Sequence, residues 1–372
     1  MATSKRIASI DWMRGFVMIL MLIDHVSMVY NKNHLATDSA VSFTAGSALP
    51  ELEFFTRWIS HLCAPVFVFL AGTALAISIE RKVSRGVAAS QIDKDILIRG
   101  AFIALLDPTL ISLFAGKFLF QVLYAIGIAM MCMAVFRRLS SLWLVIICVS
   151  WFAFGELLNA QFFPPENDSQ SIINAFLFST YSSELLTIKY PLLPWLAMMI
   201  AGWVFGRYLL DYKDGKINLG PVKLLLGLGF IMLAGYVAVR YFNDYGNMFL
   251  YREDYSWQHW LHVSKYPPSA SFALLELGIM FTLMAIMISA ERIVGVRPNG
   301  ILLVLGQTAM FFYLVHRLVL VGVGNYFELH DIGELKLTYI ISAVFLVVLY
   351  PMCLWYRSFK SKHPNNIWLK YI

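Results

Sequence analysis

The chain has 372 residues, of which 59% are hydrophobic and 14% charged, with a formal net charge of +6. A soluble domain carries about 25% charged residues, so this composition excludes a water-facing globular protein and indicates a polytopic helical membrane protein. The first apolar segment is long, carries internal charges and lacks a small-residue cleavage site, so no cleavable signal peptide is expected.

Ten segments approach the roughly 20 residues needed to cross a hydrocarbon core: 9–30, 56–79, 96–115, 118–136, 140–159, 191–210, 219–240, 270–290, 300–323 and 335–356. Breaker and charge clusters separate them, among them Glu80-Arg81-Lys82, Arg137-Arg138, Asp211–Lys216 and Arg297-Pro298-Asn299-Gly300. Strand alternation does not compete over comparable lengths, and neither an internal repeat nor a low-complexity segment stands out. The expected fold is an all-α polytopic membrane protein, one domain over residues 1–372.

The first span contains RGFVMILMLIDH, with Arg14 at one end and Asp24-His25 at the other. Eleven residues advance a helix by about 16 Å and about three full turns, which puts Arg14 and His25 on nearly one face, joined by Asp11. A charge at the centre of a lone span costs on the order of 2.5–3.5 kcal/mol, so such residues face a bundle interior or a wet cavity. This stripe predicts a polar path through the bundle. The bland alternative for Arg14 is a positive-inside anchor.

In the second span, TRWISHLCAPVFVFLAG, Arg57 and His61 are four apart on one helix face. Because spans one and two are sequential, His25, Asp24, Arg57 and His61 are expected to converge. A His held by a carboxylate in one tautomer meets the requirement for a general base. Asp24 points about 100° from His25 around the helix and could orient a different His. The third and fourth spans add Arg99, Asp107, Gln121 and Tyr124, which bundle hydrogen bonds explain as readily as substrate contact does. Lys265 and Glu276 lie in KYPPSASFALLELG, and the ninth span brings Gln307, Tyr313 and His316. His34, His259, His262 and His330 read first as interfacial anchors. His259 and His262 lie at i, i+3 without a third ligand pattern, so no metal is expected. Cys63, Cys132, Cys148 and Cys353 lack CxxC spacing and read as buried small hydrophobes.

With the N-terminus in the cytoplasm, about 20 basic residues fall on the inner half and about 9 on the outer half, the positive-inside asymmetry. Both termini are then inside. The tail residues Arg357, Lys360, Lys362 and Lys370 lie against anionic lipid, which accounts for the positive charge without nucleic acid. Three outer segments are long, about 31–55, 160–190 and 241–269, and seven of the eight His fall on the outer half, His363 being inside.

SIDWMRGFVMILMLIDH, TRWISHLCAPVFVFLAG, YPLLPWLAMMIAGWVFGR, KYPPSASFALLELG, LGQTAMFFYLVH and the closing YPMCLWYRSFKSKH…WLKYI follow one another in that order. Together they resemble the bacterial branch of the heparan-alpha-glucosaminide N-acetyltransferase family, over Ser9 to Ile372. That family is similar in turn to the acyltransferase-3 membrane proteins, whose first span carries Arg, ten residues, then His, the spacing of Arg14 and His25. The resemblance implies a membrane-embedded acyltransferase that moves an acetyl group from cytoplasmic acetyl-CoA to a sugar or glycan at the outer face. It implies His25 and His61, with Asp24, at the chemistry. It implies a donor-binding role for Arg14, with Arg99; Arg57, Gln121, Tyr124, Lys265 and His316 are the remaining binding candidates. Direct attack with His25 as general base and relay through an acetyl-histidine both fit. The lysosomal members lack a His at the position of His25 and place their proposed catalytic His in the following loop, where His34 falls here. The expected partners are acetyl-CoA, an acceptor and the bilayer of a bacterial cytoplasmic membrane, with a homodimer left open. The rival class is a transporter, because a polar path equally suits permeation, although neither repeats nor paired broken helices are evident.

Overall fold

The computed structural model describes residues 7–162, 172–364, 366 and 369. Lys370, the end of the closing motif and positions 163–171 of the second long outer segment lie outside them. In hydrocarbon every backbone polar group must be satisfied internally, and the long apolar runs accordingly form helices. Among the described residues nine helical segments are long and apolar enough to cross a membrane, and Val122–Phe136 is a shorter apolar tenth. The expected polytopic helical fold is what the chain adopts.

In chain order the helices are α1 (Ala8–Tyr30), α2 (Glu51–Ile59), α3 (Cys63–Ser84), α4 (Ala89–Leu106), α5 (Val122–Phe136), α6 (Ser141–Phe162), α7 (Ile172–Leu177), α8 (Leu192–Lys213), α9 (Pro221–Phe242), α10 (Trp257–Leu261), α11 (Ala270–Val294), α12 (Ile301–Gln307), α13 (Ala309–Tyr326) and α14 (Leu335–Lys362). α1 occupies the centre, packed by α3, α11, α12, α13 and α14. α6, α9 and α14 lie at the periphery with exposed apolar side chains such as Trp143, Phe230 and Val347, the surface a lipid phase would cover. The fully buried Trp195, Trp203, Phe69 and Phe272 mark the core.

The breaks in the helices have local causes. Pro65 lacks the N–H that would bond the His61 carbonyl, and the second span passes through a short 3-10 turn, Ser60–Leu62, between α2 and α3. Pro108 lacks the N–H that would bond the Ala104 carbonyl, and α4 stops at Leu106. Thr308 donates its hydroxyl to the Val304 carbonyl at 2.9 Å and leaves the helical region, φ −118° and ψ 24°. The expected ninth span is therefore two helices, α12 and α13, that meet at the buried Thr308.

Small residues let the helices close on one another. A Cβ on Gly202 of α8 would stand 1.9 Å from the Phe69 carbonyl oxygen of α3, and one on Gly15 of α1 would stand 2.0 Å from the Leu302 carbonyl of α12. Thr73 bridges the first of these crossings by donating to both Phe69 and Gly202 carbonyls, each at 3.0 Å.

Three strands too short to show any periodicity in the sequence form a sheet. β1 (Phe118–Phe120) runs parallel to β3 (Leu186–Ile188), and β2 (Tyr181–Ser182) runs antiparallel on its other side. Phe118 pairs with Leu186 and Phe120 with Ile188. The Lys189 N–H extends the ladder to the Phe120 carbonyl at 3.1 Å. This sheet ties the segment before α5 to the segment before α8, and so brings Gln121, Lys189 and Tyr190 to one place.

Candidate functional site

Three cavities run through the bundle beside α1. The first, about 490 Å³, lies at the His25 end and is walled by Asp24, His25, His34, Asp38, Arg57, Gln121, Lys189, Tyr190, Lys265, Tyr266 and Tyr313 among others. A middle cavity of about 370 Å³ takes in Arg14, Arg99, Gln307, Tyr313 and Lys360. A third, about 920 Å³, lies at the Arg14 end and is rimmed by Arg14, Arg81, Lys82, Arg85, Lys213 and Arg292, with Asp11 and Glu291. We refer to them as the histidine, middle and basic cavities. The histidine and middle cavities share Met21, Phe67, Val122 and Tyr313, and the middle and basic cavities share Arg14 and Ala74.

His25 is held through a chain of hydrogen bonds that fixes its tautomer. His316 is completely buried, and its Nδ1 lies 2.7 Å from the Phe312 carbonyl oxygen one turn back on α13. A carbonyl can only accept, so this Nδ1 carries the proton and the neutral ring leaves Nε2 as an acceptor. That Nε2 lies 2.7 Å from Nδ1 of His25, which must therefore donate. The remaining nitrogen of His25, Nε2, keeps its lone pair on a ring that forms part of the histidine cavity wall. The rings of His25 and His316 are nearly coplanar, 10° apart with centroids 5.0 Å apart, the edge-to-edge arrangement of an in-line hydrogen bond. This geometry equips His25 to take a proton.

Arg57 organises the opposite wall. Its Nη1 donates to both oxygens of Asp24, at 2.7 and 2.8 Å. Its Nε donates to Asp38 Oδ2 at 2.8 Å, and Nη2 to the same oxygen. Asp38 Oδ1 accepts from His61 Nε2 at 3.0 Å. Burial alone would raise the Asp38 carboxyl, but the Arg57 and His61 partners hold it well below the ordinary carboxylate range. His61 is 2% exposed and stands behind Asp38. Its Nδ1 is buried without a partner among the described residues.

His34, in the segment after α1, accepts or donates through Nδ1 to Ser27 Oγ at 3.0 Å. Burial pushes its ring below the ordinary value, partly offset by Asp24. Lys265 is 3% exposed and lies over the Tyr266 ring, as Lys189 does, with ammonium-to-centroid distances of 5.4 and 5.5 Å. Burial would raise the Tyr266 phenol, yet Lys265, Arg57 and Lys189 together draw it down. The Tyr266 hydroxyl lies 3.4 Å from that of Tyr190.

The residues singled out from sequence are thus distributed as follows. Asp24, His25, Arg57, Gln121 and Lys265 stand in the wall of one cavity. The expected convergence of spans one and two joins Asp24 directly to Arg57, brings in His61 through Asp38, and pairs His25 with His316 of α13. Arg14 donates to Asp11 and to the Leu70 carbonyl, each at 3.2 Å, between the basic and middle cavities. Arg99 lines the middle cavity. Tyr124 sits in an aromatic cluster with Phe120 and Phe176, apart from the three cavity walls. Asp107, one of the intramembrane carboxyls, accepts the N–H groups of Gln121 and Tyr124, each at 2.8 Å, at the start of α5. His262 donates from Nε2 to the Thr37 carbonyl at 2.8 Å.

Sequence reasoning passed over Asp38, Lys189, Tyr190 and Tyr266. For Asp38 a signal was present. An arginine buried in a span requires matching charge, and Asp24 supplies only half of what a forked guanidinium can hold.

Residues 6–241 match the family model of the heparan-alpha-glucosaminide N-acetyltransferase catalytic domain, well over half of the chain. The match ends before Lys265, Tyr313 and His316, whose places come from the structure. Among curated proteins no match to the chain was found.

Proposed function

The chain belongs to the heparan-alpha-glucosaminide N-acetyltransferase family, and from that premise we propose that it carries an acetyl group from cytoplasmic acetyl-CoA to an amino sugar or glycan at the outer face. The observation that carries this reading is His25. Its tautomer, fixed by His316, leaves Nε2 with a lone pair, and its ring stands in the wall of a cavity that adjoins a path from the basic end of the bundle.

In this reading the Arg14 end is cytoplasmic, in keeping with the positive-inside bias, and the membrane is a bacterial cytoplasmic membrane. CoA is polyanionic and cannot cross lipid. The basic cavity, with Arg81, Lys82, Arg85, Lys213 and Arg292 on its rim, suits the phosphates of the nucleotide end. The thin thioester arm passes Arg14 into the middle cavity, where Arg99 and Lys360 also lie. Its acetyl group arrives beside Tyr313, at the boundary with the histidine cavity. The acceptor enters from the other side, between Lys189, Tyr190, Lys265 and Tyr266. His25 takes the proton from the attacking amine or hydroxyl, His316 positions it, and the Asp24–Arg57–Asp38–His61 network holds the opposing wall.

The test is release of free CoA from acetyl-CoA by purified protein given a panel of amino sugars and glycans. Wild type is compared with His25→Ala, His34→Ala and His61→Ala. The expected result is acceptor-dependent release that falls by roughly 10²–10⁴ in His25→Ala while CoA binding persists. Equal loss in all three variants would point to structure rather than to a base. A radiolabelled acetyl group trapped on the protein in the absence of acceptor would favour the acetyl-histidine relay over direct attack.

Three cavities in series with shared walls also line the route a transporter would use. Net uptake of a sugar into proteoliposomes without CoA consumption would favour that reading instead.

A further inference from the structure

Resting on the acetyl-transfer reading, we propose that the Tyr313 hydroxyl donates the hydrogen bond that stabilises the thioester carbonyl oxygen as negative charge develops on it. The histidine and middle cavities have four wall residues in common: Met21, Phe67, Val122 and Tyr313. A thioester in the middle cavity and an acceptor in the histidine cavity can meet only there. Of the four, Tyr313 alone has an O–H or N–H to give.

That hydroxyl is buried and has no hydrogen-bond partner among the described residues. Leaving a buried polar group unsatisfied costs about 1–3 kcal/mol, and an orphan of this kind calls for an explanation. A carbonyl oxygen that arrives with the substrate supplies it. The ring is fixed where the chemistry would occur. Tyr313 meets His25 edge to face, with centroids 6.2 Å apart, and meets His316 in the same manner at 5.7 Å. A donor held by packing beside the base needs no reorganisation when charge appears, which is the basis of oxyanion stabilisation.

The amine nitrogen of the acceptor attacks the acetyl carbonyl carbon, and the C=O π electrons move to oxygen, which accepts the Tyr313 O–H. His25 Nε2 takes one proton from the nitrogen. The C=O bond re-forms, the C–S bond breaks, and the CoA thiolate takes that proton from the His25 imidazolium. Tyr313 keeps its own proton throughout, and the products are the N-acetylated acceptor and free CoA.

The experiment compares wild type, Tyr313→Phe and enzyme carrying a ring-fluorinated tyrosine at position 313, under steady-state acetyl transfer. Phe keeps the ring and removes the donor, so kcat is expected to fall about 10²–10³-fold, as for loss of one oxyanion donor, while KM for donor and acceptor changes little. The fluorinated ring keeps both volume and hydroxyl, and kcat is expected to change with phenol acidity, a dependence that a packing role would not produce. Wild-type transfer with kcat in Tyr313→Phe within about threefold, below the expected loss, would overturn the assignment and leave the acetyl-transfer reading standing. Absence of transfer by folded wild type would sink both.

Discussion

Arg57 is the residue on which two chain segments depend. Its guanidinium reaches Asp24 of α1 through one nitrogen and Asp38, in the connection after α1, through the other two. The three side chains are between 3% and 13% exposed. Removing one partner from a buried ion pair costs about 3–5 kcal/mol because the other charge is left stranded. Arg57→Ala is therefore expected to destabilise the protein by that order, seen as a lower unfolding midpoint in detergent. Arg57→Lys should recover only part of it, since an ammonium cannot fork between two carboxylates. Full recovery with Lys would show that charge alone matters there. The sequence marked Asp24, Arg57 and His61 because ionisable groups in apolar spans are conspicuous. Arg57 called for a second carboxylate without saying which, since Asp38 lies in a loop rich in polar residues, 19 positions from its partner. The pairing of His25 with His316, 291 positions apart, was beyond the sequence for the same reason. Local spacing reports which helix face a residue occupies, not which other helix that face meets.

At the scale of elements, the helices were legible because apolar length is nearly the whole requirement for crossing hydrocarbon. Their interruptions were less so. Pro65 and Pro108 are visible punctuation, but the bend at Thr308 comes from a threonine hydroxyl bonding back to Val304, a choice many threonines in helices do not make. The three strands, at most three residues each, fall below the length at which a period of two can be read. Helix contact is set by small residues, and a paired substitution tests it. In Gly202→Ala the new Cβ meets the Phe69 backbone at 1.9 Å. Backbone cannot yield as a side chain can, so a loss of about 1–3 kcal/mol or more is expected. Gly227→Ala on α9 meets nothing within 4 Å and should be neutral or stabilising by about 0.4–1 kcal/mol. Thermal unfolding of the two proteins side by side checks this, and similar midpoints would refute the tight crossing of α3 and α8.

The whole molecule places a cationic cavity at one end of the bundle and a histidine-lined one at the other. Its orientation is testable through residues at the two mouths. Lys189 and Arg85 are both exposed, the first at the histidine cavity and the second at the basic cavity. In intact cells a membrane-impermeant maleimide is expected to label Lys189→Cys, and to label Arg85→Cys only after permeabilisation. The opposite pattern would reverse the proposed sidedness and with it the direction of transfer. The boundary between the histidine and middle cavities has a further consequence. A membrane that holds a potential is a charged capacitor, and each elementary charge that slips across it dissipates about 2.3 kcal/mol per 100 mV. Three of the four side chains at the boundary, Met21, Phe67 and Val122, are apolar and offer an ion no hydration. The proposed transfer would thus carry a two-carbon group from one side to the other while the bundle remains an electrical insulator.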